Sequence, residues 1–118
     1  MRLKDEKFYK TVRDFLDIYL IRHKGYSANT QKSYREALNL LLLYFKTELG
    51  LEYVNIGFED ITYSNITGFL EWLSSSRNCS PATINLRLMA IRSFTKYAGI
   101  LDLSLIHISE PTRLGMIS

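Results

Sequence analysis

Apolar residues recur at helical spacing in the first half of the chain. One stretch, over residues 4–23, places them three or four residues apart, at Phe8, Val12, Phe15 and Tyr19. A second stretch begins after Ser27, a favourable helix N-cap, and ends at Gly50. Its apolar face consists of Tyr34, Leu38, Leu41, Phe45 and Leu49. Each stretch predicts an amphipathic helix that buries one face.

Two further helices are predicted in the second half. Thr62 or Ser64 is expected to cap the third helix. The fourth opens with Ser80 and Pro81, a pairing typical of helix N-termini, and ends at Gly99. The positions expected to face inward are Ile66, Phe69, Leu70 and Leu73 in the third helix and Ile84, Leu88, Ile91 and Ala98 in the fourth.

Two aromatic residues and one connecting segment complete this assignment. Phe94 is expected at the edge of the buried face of the fourth helix, and Trp72 is expected to be a packing anchor rather than a binding platform. The segment 51–60 has no clear period, so it is compatible with a short strand or a 3₁₀ turn.

Four helices with short links and no alternating strand pattern predict an all-α fold, a compact bundle of four helices. A length of 118 residues is sufficient for one domain with a single core. We expect that domain to occupy residues 1–102. Residues 103–118 have neither helical nor strand periodicity, and they are expected to form a disordered or irregular tail.

Basic and acidic residues are segregated along the chain. The net charge is only +3, but two segments are rich in bases, one holding Arg22, Lys24, Lys32 and Arg35, the other Arg77, Arg87, Arg92 and Lys96. No acid interrupts the first set. Between Lys46 and Arg77 there is no base, and the acids there are Glu48, Glu52, Glu59, Asp60 and Glu71. This pattern predicts a molecule with one cationic side.

The residues required for several chemistries are missing. One cysteine, Cys79, excludes an intrachain disulfide and favours a reducing compartment. His23 is the only histidine before residue 103, so no metal site, cofactor or catalytic residue is expected. The longest apolar run is too short to cross a bilayer, and the N-terminus has no apolar leader segment. A cytoplasmic protein without membrane contact is therefore predicted.

Two helix starts share one pattern. Ser27 and Thr30 in "GYSANTQKSYREAL" correspond to Ser80 and Thr83 in "NCSPATINLRLMAI". Each serine is expected to cap its helix, which leaves each threonine hydroxyl available for a phosphate near the helix N-terminus. The nearby cations and amide that could contact DNA are Lys32, Arg35, Asn85 and Arg87. The alternative from the pattern alone is two ordinary capped helices with solvated faces.

The layout from "FLDIYLIRHKGYSANTQKSYREALNLLLLYF" to "SPATINLRLMAIRSFTKYAG" resembles the N-terminal core-binding domain of tyrosine recombinases, the phage-integrase superfamily. The resemblance implies a SAM-like helical domain that forms one jaw of a clamp on double-stranded DNA, with its second and fourth helices toward the major groove. It also implies a parent enzyme that acts as a homo-oligomer on DNA. The residues it places near DNA are Thr30, Lys32, Arg35, Ser80, Thr83, Asn85 and Arg87, with Arg92 and Lys96 further along the fourth helix.

The same resemblance implies that a catalytic domain should follow, and the chain departs from the family pattern near Asp102. This polypeptide is therefore expected not to be an enzyme itself. The segment "LSLIHISEPTR" resembles the translation of a transposase-type sequencing adaptor, so residues 103–118 are expected to be non-native. Two alternatives remain open: a helical protein–protein interaction module that does not bind DNA, and a non-functional gene fragment.

We predict that resequencing the gene beyond the codon for Asp102 will replace the adaptor-like codons with a continuous reading frame. That frame should encode the linker and catalytic domain of a recombinase. Sequencing a long amplicon of the locus, prepared without adaptor ligation, checks this expectation. Recovery of codons for residues 103–118 from that amplicon would contradict it.

Overall fold

A computed structural model of the protein describes residues 2–23, Gly25 and residues 27–99. Within these residues the secondary structure is helical, without strands, as predicted. Segment 51–60, for which the sequence allowed a short strand or a 3₁₀ turn, contains two 3₁₀ turns. The predicted tail, residues 103–118, and the boundary at residue 102 lie outside the described residues. The helices are α1 (Glu6–Asp14, continued by a π-helical segment, Phe15–His23), α2 (Ala28–Leu49), α3 (Tyr63–Ser75) and α4 (Pro81–Ala98), and the 3₁₀ turns are Tyr53–Asn55 and Phe58–Asp60.

The first predicted helix changes its geometry halfway along. Up to Asp14 it is α-helical, and from Phe15 it continues with the wider turns of a π-helix. Because π-helical hydrogen bonds link residues five apart, Phe15 and Leu20 face the same side, and both are completely buried. Leu16 is buried as well, whereas Tyr19 is only half-buried. The apolar stripe predicted at α-helical spacing therefore broadens in this segment.

Asp5 connects the start of α1 to the second 3₁₀ turn. One carboxylate oxygen accepts a hydrogen bond from the Phe8 amide at 3.1 Å and so caps α1. The other accepts a hydrogen bond from the Phe58 amide at 3.0 Å. Gly57 makes this approach possible, because a Cβ atom at that position would lie 2.7 Å from the Asp5 Cβ.

The other helix ends follow the capping pattern of the sequence. Thr62, rather than Ser64, caps α3, and its hydroxyl accepts a hydrogen bond from the Asn65 amide at 3.1 Å. Helices α2 and α4 end at Gly50 and Gly99, where φ is 71° and 70°. Glycine adopts this left-handed conformation without the steric cost of a Cβ, which explains its position after each helix.

Helix α2 is central to the packing, since it contacts α3, α4 and the π-helical segment, and α3 in turn contacts α4. Most positions predicted to face inward are buried, although Leu49 is 40% exposed and Ala98 is half-buried. Trp72 is 9% exposed and packs in the core, which confirms its assignment as an anchor. The Arg77 guanidinium covers the Trp72 ring at 5.3 Å from the ring centroid.

Phe94 lies at the centre of the core, and the prediction that it lies at the edge of the buried face is wrong. Its ring is 0% exposed. It contacts the rings of Phe8, Phe15 and Phe58 at centroid distances of 6.1, 5.6 and 6.3 Å. These rings come from α1, the π-helical segment and the second 3₁₀ turn. Three elements therefore enclose one side chain of α4, and helical periodicity within a single element could not indicate this.

We predict that Phe94→Ala lowers the free energy of unfolding by about 3–5 kcal/mol, because it removes a fully buried ring and leaves a cavity. Leu86→Ala on the same helix is the control, because Leu86 is 52% exposed and its loss should change stability by less than about 0.5 kcal/mol. Urea denaturation followed by circular dichroism measures both. Equal destabilisation by the two substitutions would contradict this description of the core.

Candidate nucleic-acid interface

The starts of α2 and α4 have the same capping geometry. Each serine hydroxyl, of Ser27 and of Ser80, accepts a hydrogen bond from the threonine amide three residues later, at 3.2 Å in both helices. The backbone of each serine is extended, as an N-cap requires. Both predicted caps are confirmed, and the free N–H groups of two helix N-termini are therefore held in similar local arrangements.

The two threonines take part in these caps more directly than the sequence indicated. The Ser27 and Thr30 hydroxyl oxygens are 3.1 Å apart, and the Ser80 hydroxyl donates to the Thr83 hydroxyl oxygen at the same distance. Each threonine hydroxyl thus has a partner in the capping serine, contrary to the expectation that it is not needed there. Because Thr83 accepts this bond, its own proton stays available for a second acceptor. Its role toward phosphate stays a prediction.

Lys32 and Arg35 both lie on the exposed face of α2, opposite the buried positions. Arg35 forms an ion pair with Asp17 of the π-helical segment, with 2.6 Å between Nη2 and Oδ1. The two side chains are 53% and 48% exposed, so solvent screens this pair and its contribution to stability is small. Arg35 is therefore accessible to a ligand from solvent.

Arg87 differs from Arg35 in burial, although the sequence suggested similar roles for both. Its side chain is only 15% exposed, and its Nη2 lies 3.2 Å from the Glu36 Oε1 of α2. The Arg87 Nε is buried without a hydrogen-bond partner among the described residues. The Arg87 side chain thus lies at the contact between α2 and α4, and its contact with DNA stays a prediction.

The remaining predicted residues of α4 lie on its solvent side. Asn85, Arg92 and Lys96 are exposed, and their spacing of seven and four residues places them along one face. Thr83 and Arg87, four residues apart, lie on a different face that is half-buried. The described structure divides α4 into an exposed polar face and a face toward α2.

Sequence reasoning missed two acidic residues, Asp17 and Glu36. They border the acid-free stretch of the sequence, and folding brings each of them to an arginine. The pairing partners are 18 residues apart in one case and 51 residues apart in the other, so sequence spacing could not reveal them. A weaker signal existed for Arg87, since helical spacing places it beside the buried Ile84 and Ile91.

Acidic residues also surround the far end of α2. Burial raises the pKa of the Tyr44 phenol, and the nearby carboxylates of Glu48 and Glu71 raise it further. Lys46, the last base before the acidic stretch, lies over the Tyr53 ring at 4.7 Å from the ring centroid. The acidic segment of the sequence thus lies near the C-terminal part of α2, away from the Ser27 cap.

Within the described ranges, no group of three or more His, Cys, Asp and Glu side chains could hold a metal ion. Cys79 is a free, half-buried thiol that packs against the core. None of the described helices is long and apolar enough to cross a membrane.

Comparison with known proteins gives one family and two relatives. The family model described as "Phage integrase, N-terminal SAM-like domain" matches residues 12–99. The chain is 35% identical over 83 residues to "Putative integrase/recombinase y4rD" and 34% identical over 80 residues to "Putative integrase/recombinase y4rC", both from Sinorhizobium fredii (strain NBRC 101917 / NGR234). The alignments cover 70% and 68% of this chain but only 30% and 24% of those relatives. No solved structure gives a significant match.

The different burial of the two arginines leads to a prediction about stability. Arg87→Ala should lower the free energy of unfolding by about 1 kcal/mol or more, because the long side chain packs between α2 and α4. Arg35→Ala should change it by less than about 0.5 kcal/mol, since its ion pair is exposed. Thermal and urea denaturation of the two variants check this difference. An equal effect would contradict the distinct positions of the two side chains.

Proposed function

Because the chain belongs to the family of phage integrase N-terminal SAM-like domains, we propose that it is the DNA-binding domain of a tyrosine-type site-specific recombinase. The observation that carries the proposal is the pair of matched helix starts, each with exposed cations or amides on the helix that follows. Ser27 and Ser80 hold the two starts, while Lys32 and Arg35 on α2 and Arg92 on α4 supply exposed positive charge.

The proposed contacts divide into phosphate and base recognition. Helix N-termini bind anions, because free amides and the helix dipole both point toward them. We assign phosphate contacts to these amides, to the Thr30 and Thr83 hydroxyls, to Lys32 and to Arg87. Longer or bidentate side chains that lie on exposed faces are suited to base edges in the major groove. These are Arg35 and Asn85, with Arg92 and Lys96 further along α4.

The proposal extends to the parent protein. The chain spans 30% and 24% of the lengths of the two relatives, so most of a protein of their size lies beyond the matched domain. We propose that the parent cleaves and rejoins DNA strands through a catalytic domain after residue 102, and that it acts as a homo-oligomer on its recombination site. In this arrangement residues 1–102 bind DNA without catalysing a reaction, and residues 103–118 are not part of the native protein.

A second function, docking of another protein, is favoured by one observation. Leu86 and Met89 on α4 are 52% and 53% exposed, and they lie beside the exposed polar face of that helix. Apolar side chains on a surface are ordinary when isolated, but adjacent ones can form the centre of a protein interface. Salt separates the two functions, because DNA binding weakens steeply as salt rises, whereas apolar docking does not.

We predict that the chain binds duplex DNA and that the logarithm of its affinity falls linearly with the logarithm of salt concentration, with a slope of about 0.9 per phosphate contact. Arg35→Glu and Arg87→Glu should each abolish measurable binding, because each replaces a cation of the proposed interface with a carboxylate that the negatively charged DNA repels. Fluorescence anisotropy with a labelled duplex measures the affinity at salt concentrations from about 50 to 200 mM, where such contacts are lost.

Lys46→Glu is the matched control. It makes the same change of charge on the same helix, about 16 Å along α2 from Arg35 and beside the acidic residues. It should therefore retain most of the affinity. Circular dichroism of all variants separates loss of contact from loss of folding, which matters most for the half-buried Arg87. Binding of Arg35→Glu at parental affinity would contradict the proposed interface.

A further inference from the structure

The Glu36–Arg87 pair joins the two helices that carry the proposed interface. Glu36 lies about 13 Å along α2 from its cap, and Arg87 lies about 10 Å along α4 from its cap. The Arg87 Nη2 and the Glu36 Oε1 lie 3.2 Å apart. The pair thus lies at the contact of α2 with α4, close to the opening turns of both helices.

The two partners differ in their access to solvent. The Glu36 side chain is 58% exposed, while the Arg87 side chain is 15% exposed and its Nε has no hydrogen-bond partner among the described residues. A guanidinium carries several N–H donors and binds carboxylates and phosphates with the same planar arrangement. The Arg87 head therefore has unused hydrogen-bonding capacity, and the carboxylate that holds it can move into water.

We propose that Glu36 is an intramolecular competitor of the DNA phosphate for Arg87, and that it limits the affinity of this domain for DNA. The inference rests on the proposed function and adds a residue that sets its strength. In the free protein, Glu36 occupies the guanidinium of Arg87. In the complex, a phosphate oxygen replaces the Glu36 oxygen, and the released carboxylate turns to solvent.

This exchange has a consequence for the salt dependence of binding. A phosphate contact releases a counterion from DNA, which is the origin of the steep salt effect. When Arg87 leaves Glu36, the exposed carboxylate regains its own counterion atmosphere and offsets part of that release. Arg87 therefore adds less to the slope than a cation without an acidic partner, and the measured slope underestimates the number of phosphate contacts.

The experiment compares Glu36→Gln with Glu48→Gln in the full chain. Both remove one negative charge from an exposed position of α2, but Glu48 lies about 18 Å from Glu36, near the C-terminal end of the helix. With a labelled duplex, we expect Glu36→Gln to bind roughly two- to fivefold more tightly than the parent, the range of a surface ion pair. It should also steepen the salt slope, whereas Glu48→Gln should leave both within error.

A double-mutant cycle with Arg87→Gln tests the mechanism. If Glu36 acts by holding Arg87, the gain from Glu36→Gln disappears when Arg87 is already glutamine. A gain that persists in that background overturns the proposal, since Glu36 would then act only by repelling phosphate. Equal affinities of Glu36→Gln and Glu48→Gln overturn it as well. Absence of DNA binding by the parent and by every variant would instead overturn the proposed function on which the inference rests.

Discussion

The burial of Phe94 is the constraint on which the rest of this fold depends. One ring of α4 is enclosed by rings from α1, the π-helical segment and the second 3₁₀ turn. The elements around it are themselves tied together, because the carboxylate of Asp5 caps α1 and also accepts a hydrogen bond from the amide of Phe58. With Phe94 in this position, rotation of α4 about its axis would expose a large apolar ring and is therefore strongly disfavoured.

The orientation of α4 determines which of its polar residues face solvent. With Phe94 and Ile91 buried, the face that carries Asn85, Arg92 and Lys96 is directed outward, and Arg87 is directed toward α2. The rotational setting of α4 about its axis therefore determines both which residues it buries and which polar residues it exposes. The same setting exposes Leu86 and Met89, so the apolar and cationic parts of this surface have a common structural origin.

The features that sequence could predict are those that depend on neighbours along the chain. Ser27, Ser80 and Gly50 act within one or two turns of a helix, so their local patterns were sufficient to place the helix ends. The π-helical geometry after Asp14 was not predictable from the sequence, because the apolar spacing there is that of an ordinary α-helix. The resemblance to the core-binding domain of tyrosine recombinases likewise depends on such local patterns and on their order along the chain.

The features that sequence could not predict depend on residues distant in the chain. Helical spacing showed that Phe94 lies near the apolar face of α4, but its central position requires rings from three other elements. In the same way, the acid-free stretch around Arg22–Arg35 contributed to the prediction of one cationic side. Folding places Asp17 against Arg35 of this stretch and Glu36 against Arg87 of the second basic segment, and only the tertiary structure determines these pairings.

Under the proposed competition, the Glu36–Arg87 pair also relates the stability of the domain to DNA binding. A half-buried guanidinium is costly when it lacks a partner, so the carboxylate of Glu36 stabilises the free domain. The same carboxylate competes with phosphate in the proposed complex. A substitution that strengthens DNA binding at this position therefore weakens the contact of α2 with α4, and one that strengthens the contact weakens binding. Affinity and stability cannot both be maximal at this pair, which is the usual relation between a functional surface and the fold that supports it.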